Sequence, residues 1–223
     1  MSGDRSRRSV RWAARHPGTI VVLAVLAVVG FAFWKPLFAG GSLVPSDLLE
    51  QHVAPFNADR PHGFVAETAS GDILNIHSHW TMLARDLRGG WSWWTSSLGL
   101  GYPVMKGGFP VFAVAYLFTP SWYAAGLMAV LRTLTAWGLT YGWLRTFELR
   151  RRAAFAGGAA FAFSGFVVGW GGWPHANVAA LAPGALWALE RLLSAPSLRR
   201  AVPLGMFGAA MIWANFPLVL FYL

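Results

Sequence analysis

The sequence predicts an all-α integral membrane protein of about five transmembrane helices. Its long first extracytoplasmic loop should carry an amphipathic interfacial helix. Three observations predict this. Of the 223 residues, 56% are hydrophobic and only 12% are charged, about half the charged fraction of an ordinary soluble domain. Apolar runs long enough to cross about 30 Å of hydrocarbon recur along the chain. The basic residues gather beside those runs: of 18 Lys and Arg, five lie in Arg5–Arg15, four in Arg145–Arg152 and three in Arg191–Arg200. This is the positive-inside pattern, and it directs the net charge of +9 toward anionic lipid headgroups rather than nucleic acid. The chain has no cysteine, so neither a disulfide framework nor thiolate chemistry is available.

Taken in order, residues 1–16 form a basic cytoplasmic tail. Residues 17–38 (PGTIVVLAVLAVVGFAFWKPLF) form the first transmembrane helix, with Trp34 and Lys35 at its outer interface. The run exceeds the apolar core of a secretory signal, so it reads as an uncleaved anchor even though FAGG offers a small-residue cleavage site. Residues 39–109 make the extracytoplasmic loop, which holds six of the nine acidic residues: Asp47, Glu50, Asp59, Glu67, Asp72 and Asp86. Residues 110–223 supply transmembrane helices two to five. Val111–Phe118 reads as a short re-entrant or interfacial piece broken at Thr119-Pro120. Trp122–Leu144 is the second span, with Arg132 at membrane depth, where a charge is expensive and must face protein, water or an anionic ligand. Ala153–Trp170 is the third span, rich in the Gly and Ala that let helices approach closely. Gly171–Asn177 (GGWPHAN) is a tight outer turn, and Val178–Leu193 is the fourth span. Ala201–Leu223 is the fifth, interrupted at Asn215-Phe216-Pro217. Because the chain stops inside an apolar run, it is expected to be an N-terminal fragment of a longer protein.

Polar chemistry concentrates in Asp72–Pro103 (DILNIHSHWTMLARDLRGGWSWWTSSLGLGYP). Asp72 reads as an N-cap, able to accept from the free N–H groups of a first turn. Ile73, Ile76, Trp80, Leu83 and Leu87 recur at three- and four-residue steps and mark an apolar helix face. At about 100° per residue, Asp72, Asn75, His79 and Asp86 fall on one neighbouring stripe, and His77, Thr81, Arg85 and Arg88 on another. Gly89-Gly90 ends the helix. His77 and His79 project about 200° apart, so the pair cannot share one metal ion on an unbroken helix. His79, beside Asp72 and Asp86, is the better candidate for a ligand or an acid–base partner. The tryptophans that follow suit an interfacial belt.

The order of these features resembles the YfhO-like membrane proteins of the GT-C superfamily of glycosyltransferases. The resemblance rests on SDLLEQHVAPF (46–56), GDILNIHSHW (71–80), LRGGWSWWTSSLGLGYP (87–103), FSGFVVGWGGWPHANVAALAPGALWALERL (163–192) and WANFPLVLFYL (213–223). It departs from the family in one respect. The glutamine expected about four residues after the acid follows Asp47, as Gln51, whereas Ile76 stands four after Asp72. By distance to the Gly–Trp segment, however, Asp72 is the better match, so both aspartates stay candidates.

The resemblance implies an inverting transfer of a sugar from a polyprenyl-phosphate donor to a cell-envelope polymer or lipid, at the outer face of a bacterial cytoplasmic membrane. Asp47 or Asp72 would deprotonate the acceptor hydroxyl or hold a divalent metal. The substrate contacts would come from His79, His175, Arg132, Gln51 and Trp94, with Arg132 suited to phosphate because guanidinium binds its oxygens bidentately. No P-loop lysine or dinucleotide fingerprint is present, which argues against a cytosolic nucleotide-sugar donor. Two other readings compete. One is a transporter or flippase for an anionic lipid, with Arg132 on its path. The other is a non-catalytic scaffold, which would tolerate the loss of either aspartate.

Overall fold

The computed structural model describes residues 17–43, 70–89, 94–95, 102–103 and 110–214. The described chain is helical except for one antiparallel ladder of two-residue strands, β1 (Trp94–Thr95) and β2 (Tyr102–Pro103), with Trp94 opposite Pro103. Nine α-helices are described. They are α1 (Pro17–Ala32), α2 (Trp34–Phe38), α3 (Ser70–Gly89), α4 (Ala115–Phe118), α5 (Ser121–Thr146), α6 (Arg151–Ala162), α7 (Gly165–Gly169), α8 (Pro174–Ser194) and α9 (Leu198–Trp213), and a 3₁₀ turn, Val111–Val114, precedes α4.

Each break has a local cause. The first apolar run divides at Phe33, which leaves α2 as a single turn beside α1. Thr119-Pro120 stops α4: proline disfavours helical backbone in the residue before it, and Thr119 is extended. The third apolar run divides at Phe163-Ser164, where the Ser164 hydroxyl accepts from the Val167 N–H at 3.4 Å and starts α7. Pro183 sits inside α8 and is buried; it removes one backbone donor, a loss that neighbouring helices can absorb. Glu148 closes the turn between α5 and α6 at φ 58°, a left-handed conformation that non-glycine residues rarely adopt.

The helix expected at the interface runs Ser70–Gly89 and ends at the predicted glycine. It begins earlier than expected, however, so Asp72 is its third residue and not its cap. The first turn still suits a carboxylate, because the positive end of the helix dipole lies there. Trp80, Leu83 and Ala84 are buried, and α3 packs on α4.

Helix α5 is the axis of the fold. It packs along α6 and α8, and α8 in turn packs along α9; α2 and α4 also lean on α5. Its buried hydroxyls are satisfied internally: Thr133 and Thr140 donate to Ala129 O and Ala136 O at 2.8 and 2.7 Å. Trp137, 1% exposed, anchors the α5–α6 seam and donates its indole N–H to Phe155 O at 3.1 Å. The approach requires glycine opposite: a Cβ on Gly158 would lie 2.9 Å from both Trp137 Nε1 and Trp137 O. Gly184 serves the α8–α9 seam, where a Cβ would meet the Phe207 ring at 2.5 Å.

Among the described residues, one helical run, Arg151–Gly169, is long and apolar enough to cross a membrane, and Gly18–Ala32 is apolar but shorter. The longer helices α5 and α8 are less apolar: Arg132 stands among Trp, Tyr, Thr and Gly along α5, and α8 carries His175, Asn177, Pro183, Glu190 and Arg191.

Candidate functional site

A cavity of about 230 Å³ lies where α5 meets α3, α7 and the turn before α8. Phe33, His77, Met128, Arg132, Thr133 and Gly171 contribute to its wall. Arg132 reaches it from the middle of α5 and is 5% exposed. Among the described residues its Nε finds no hydrogen-bond partner and no carboxylate pairs with it. Gly171 makes room for the guanidinium: a Cβ there would sit 3.3 Å from Arg132 Nη2 and 2.8 Å from Val168 O. The Gly171-Gly172 step therefore brings bare backbone to the arginine. A buried cation without a counter-charge is costly, so the arrangement favours an anion that supplies one.

His77 forms the second polar wall and is also 5% exposed. Its Nδ1 pairs with the Tyr116 hydroxyl of α4, and Trp80 closes the group edge-on, 5.1 Å from the imidazole and 6.2 Å from the phenol. Burial, with the Arg132 charge adding to it, pushes His77 down from its ordinary 6.5 to about 4. The ring is therefore neutral at physiological pH and can offer one N–H or one lone pair to a ligand without repelling Arg132.

A pH dependence follows. With the folded value below the unfolded one, the unfolded chain takes up the proton first. The stability held by neutral His77 is complete above about pH 6.5 and drains as the pH falls toward about 4, by on the order of 3 kcal/mol. Thermal unfolding of the detergent-solubilised protein between pH 7.5 and 4.5 reads this out. Wild type should lose more stability than His77→Gln, whose amide can still bond Tyr116. Parallel curves would remove His77 as the titrating group.

The predicted site residues scatter more widely. Arg132 is in the cavity. His79, on α3, is half-buried and lowered by burial, but it is not on the cavity wall. His175 is in the first turn of α8 and lies tilted against Trp170, ring centroids 4.6 Å apart, also off the wall, although Gly171 and Gly172 of the preceding turn are on it. Asp72 lies on α3, five residues before His77, and Trp94 lies in β1. Asp47 and Gln51 fall outside the described residues. Arg85 and Arg88 are exposed.

Sequence reasoning missed His77, Tyr116 and Gly171. The signal for His77 was available: His77, Trp80 and Ala84 follow the i, i+3, i+7 steps of one helix face, which is the buried one. Nothing local marked Tyr116. Among the described residues, no three His, Cys, Asp or Glu side chains come together as metal ligands. No family model, curated protein or solved structure matches this chain.

Proposed function

We propose that the chain belongs to a multi-pass bacterial membrane glycosyltransferase that takes sugar from a polyprenyl-phosphate donor at the extracytoplasmic face. In this reading the N-terminus is cytoplasmic, and α1–α2, α5, α6–α7, α8 and α9 are the membrane crossings. The large apolar side chains turned outward support that placement: Phe31 on α1, Val168 on α7, and Met206 and Ile212 on α9 are each more than half exposed, which water would penalise and lipid would not.

One observation carries the reading: Arg132, buried on a cavity with His77, meets no carboxylate among the described residues. At about 230 Å³, the cavity is smaller than the roughly 300–1,000 Å³ of whole-ligand sites and suits the phosphate portion of a lipid-linked donor. In the transfer, the acceptor hydroxyl oxygen attacks the anomeric carbon while the bond from that carbon to the phosphate oxygen breaks. The electron pair stays on the phosphate, and the hydroxyl proton passes to Asp47 or Asp72. Arg132 stabilises the charge that develops on the departing phosphate, where a preorganised donor in a dry site is most effective.

The test is envelope glycan composition in a deletion strain complemented with wild type, Asp47→Asn, Asp72→Asn or Arg132→Gln, with membrane expression matched. Loss of a glycan with Arg132→Gln and with one of the two aspartate variants supports the reading, and the latter should lower transfer by about 10²–10⁴-fold. A second reading, transport or flipping of an anionic lipid, draws on the cavity wall itself, which holds a cation and an imidazole but, among the described residues, no carboxylate. Full complementation by both aspartate variants with failure of Arg132→Gln selects transport. Complementation by all three sinks both readings.

A further inference from the structure

A second and larger cavity, about 670 Å³, opens between the C-terminal half of α8 and the start of α9. Trp187, Pro203 and Phe207 line its apolar side, and Arg191, Arg199 and Arg200 line its polar side. Among the described residues no carboxylate lines it; the nearest acid in sequence, Glu190, is not on the wall. From this geometry we infer a binding site for one anionic phospholipid, its phosphate among the arginines and its acyl chains along Trp187 and Phe207.

The electrostatics of the helix ends argue for a bound anion. Arg199 and Arg200 occupy the first turn of α9, which contains no acidic residue, and Ser197 at the cap position makes no capping hydrogen bond through its side chain. Two cations at the positive end of a helix dipole repel it, and the sequence supplies no local compensation. Arg200 is partly committed: its Nη1 donates to Arg191 O at 3.0 Å and to Ser194 Oγ at 3.3 Å, tying α9 to the end of α8. Arg191 and Arg199 make no ion pair among the described residues. An anion between them would neutralise the cluster and meet the α9 N–H groups, the usual partners of phosphate at a helix start.

The apolar wall decides between a lipid and a free phosphate. A phosphate ion needs neither the Phe207 ring nor the Trp187 indole, whereas a phospholipid uses both halves of the cavity. Basic pockets between helices at a membrane surface take anionic headgroups on this principle. The inference shares with the proposed function only the premise that these helices lie in a bilayer. It needs nothing from Arg132 or the aspartates.

The experiment is native mass spectrometry of the full chain in detergent, titrated with phosphatidylglycerol, phosphatidylcholine or inorganic phosphate. Wild type should retain one phosphatidylglycerol with at least a tenfold preference over phosphatidylcholine, and millimolar inorganic phosphate should not displace it. Arg199→Gln, an exposed change that leaves the packing intact, and Arg191→Gln/Arg199→Gln should lose that preference. Arg151→Gln/Arg152→Gln, which removes two basic residues away from the cavity, should keep it. Equal retention of the two lipids by wild type overturns the inference, as does displacement by inorganic phosphate. An equal loss in the Arg151/Arg152 variant also overturns it, because attraction would then be diffuse rather than local.

Discussion

Arg132→Met is expected to leave the protein at least as stable as wild type while lowering its affinity for a polyprenyl-phosphate ligand by about ten- to a hundredfold. The two effects share one cause. Arg132 is 5% exposed, its Nε is unpartnered, and no described carboxylate neutralises it. In the empty state it therefore contributes a desolvation cost. Replacing buried charge with an apolar side chain of similar length is often neutral, or stabilising by about 1–4 kcal/mol. In the liganded state the same side chain makes charge-assisted hydrogen bonds of about 1.5–3 kcal/mol. Arg132→Lys keeps the charge but loses the planar fork, so its affinity should fall between the two. Thermal unfolding in detergent and binding of a short-chain polyprenyl phosphate measure the pair of effects. A large loss of stability in Arg132→Met would mean that a carboxylate of residues 44–69 pairs with the arginine and that its role is structural.

The largest stability effect should come from the α5–α6 seam. Trp137→Ala is expected to cost about 3–5 kcal/mol, the range for truncating a buried aromatic. It would also remove the bond to Phe155 O and the ring contacts with Phe155 and Phe163, at 5.0 and 5.8 Å. Gly158→Leu attacks the same contact from the other side, because even the first side-chain carbon would lie 2.9 Å from the indole nitrogen. Overpacking of this kind costs about 1–3 kcal/mol. Since both substitutions disturb one contact, the double variant should lose less than the sum of the singles. Strict additivity in detergent unfolding would show that Trp137 and Gly158 act in separate places.

Several features were legible before any coordinates. Helix α3 was readable from its apolar steps and terminal glycines, and α5, α6 and α8 from apolar runs bounded by arginines, prolines and glycines. Arg132 stood out because a charge inside an apolar run has few explanations. Helix starts were read less well. Asp72 had the chemistry of a cap, but Ser70-Gly71 can also enter a helix, and local preference does not choose between them. The breaks at Phe33 and Phe163-Ser164 interrupt runs that hydropathy alone treats as continuous.

Composition and periodicity determine that this chain forms helices, that those helices are rich in apolar residues and that its cations gather at helix ends, because each property depends on residues a few positions apart. Which polar groups meet was decided by packing. His77 and His79 are two residues apart on one helix, yet α4 lies against the face that carries His77 and buries it with Tyr116, thirty-nine residues away. Arg132 meets Gly171 in the same way, across thirty-nine residues of chain, because α5, α6 and α8 lie side by side. A helix pattern states which residues share a face. Only the neighbouring helix determines which face becomes the inside of a cavity.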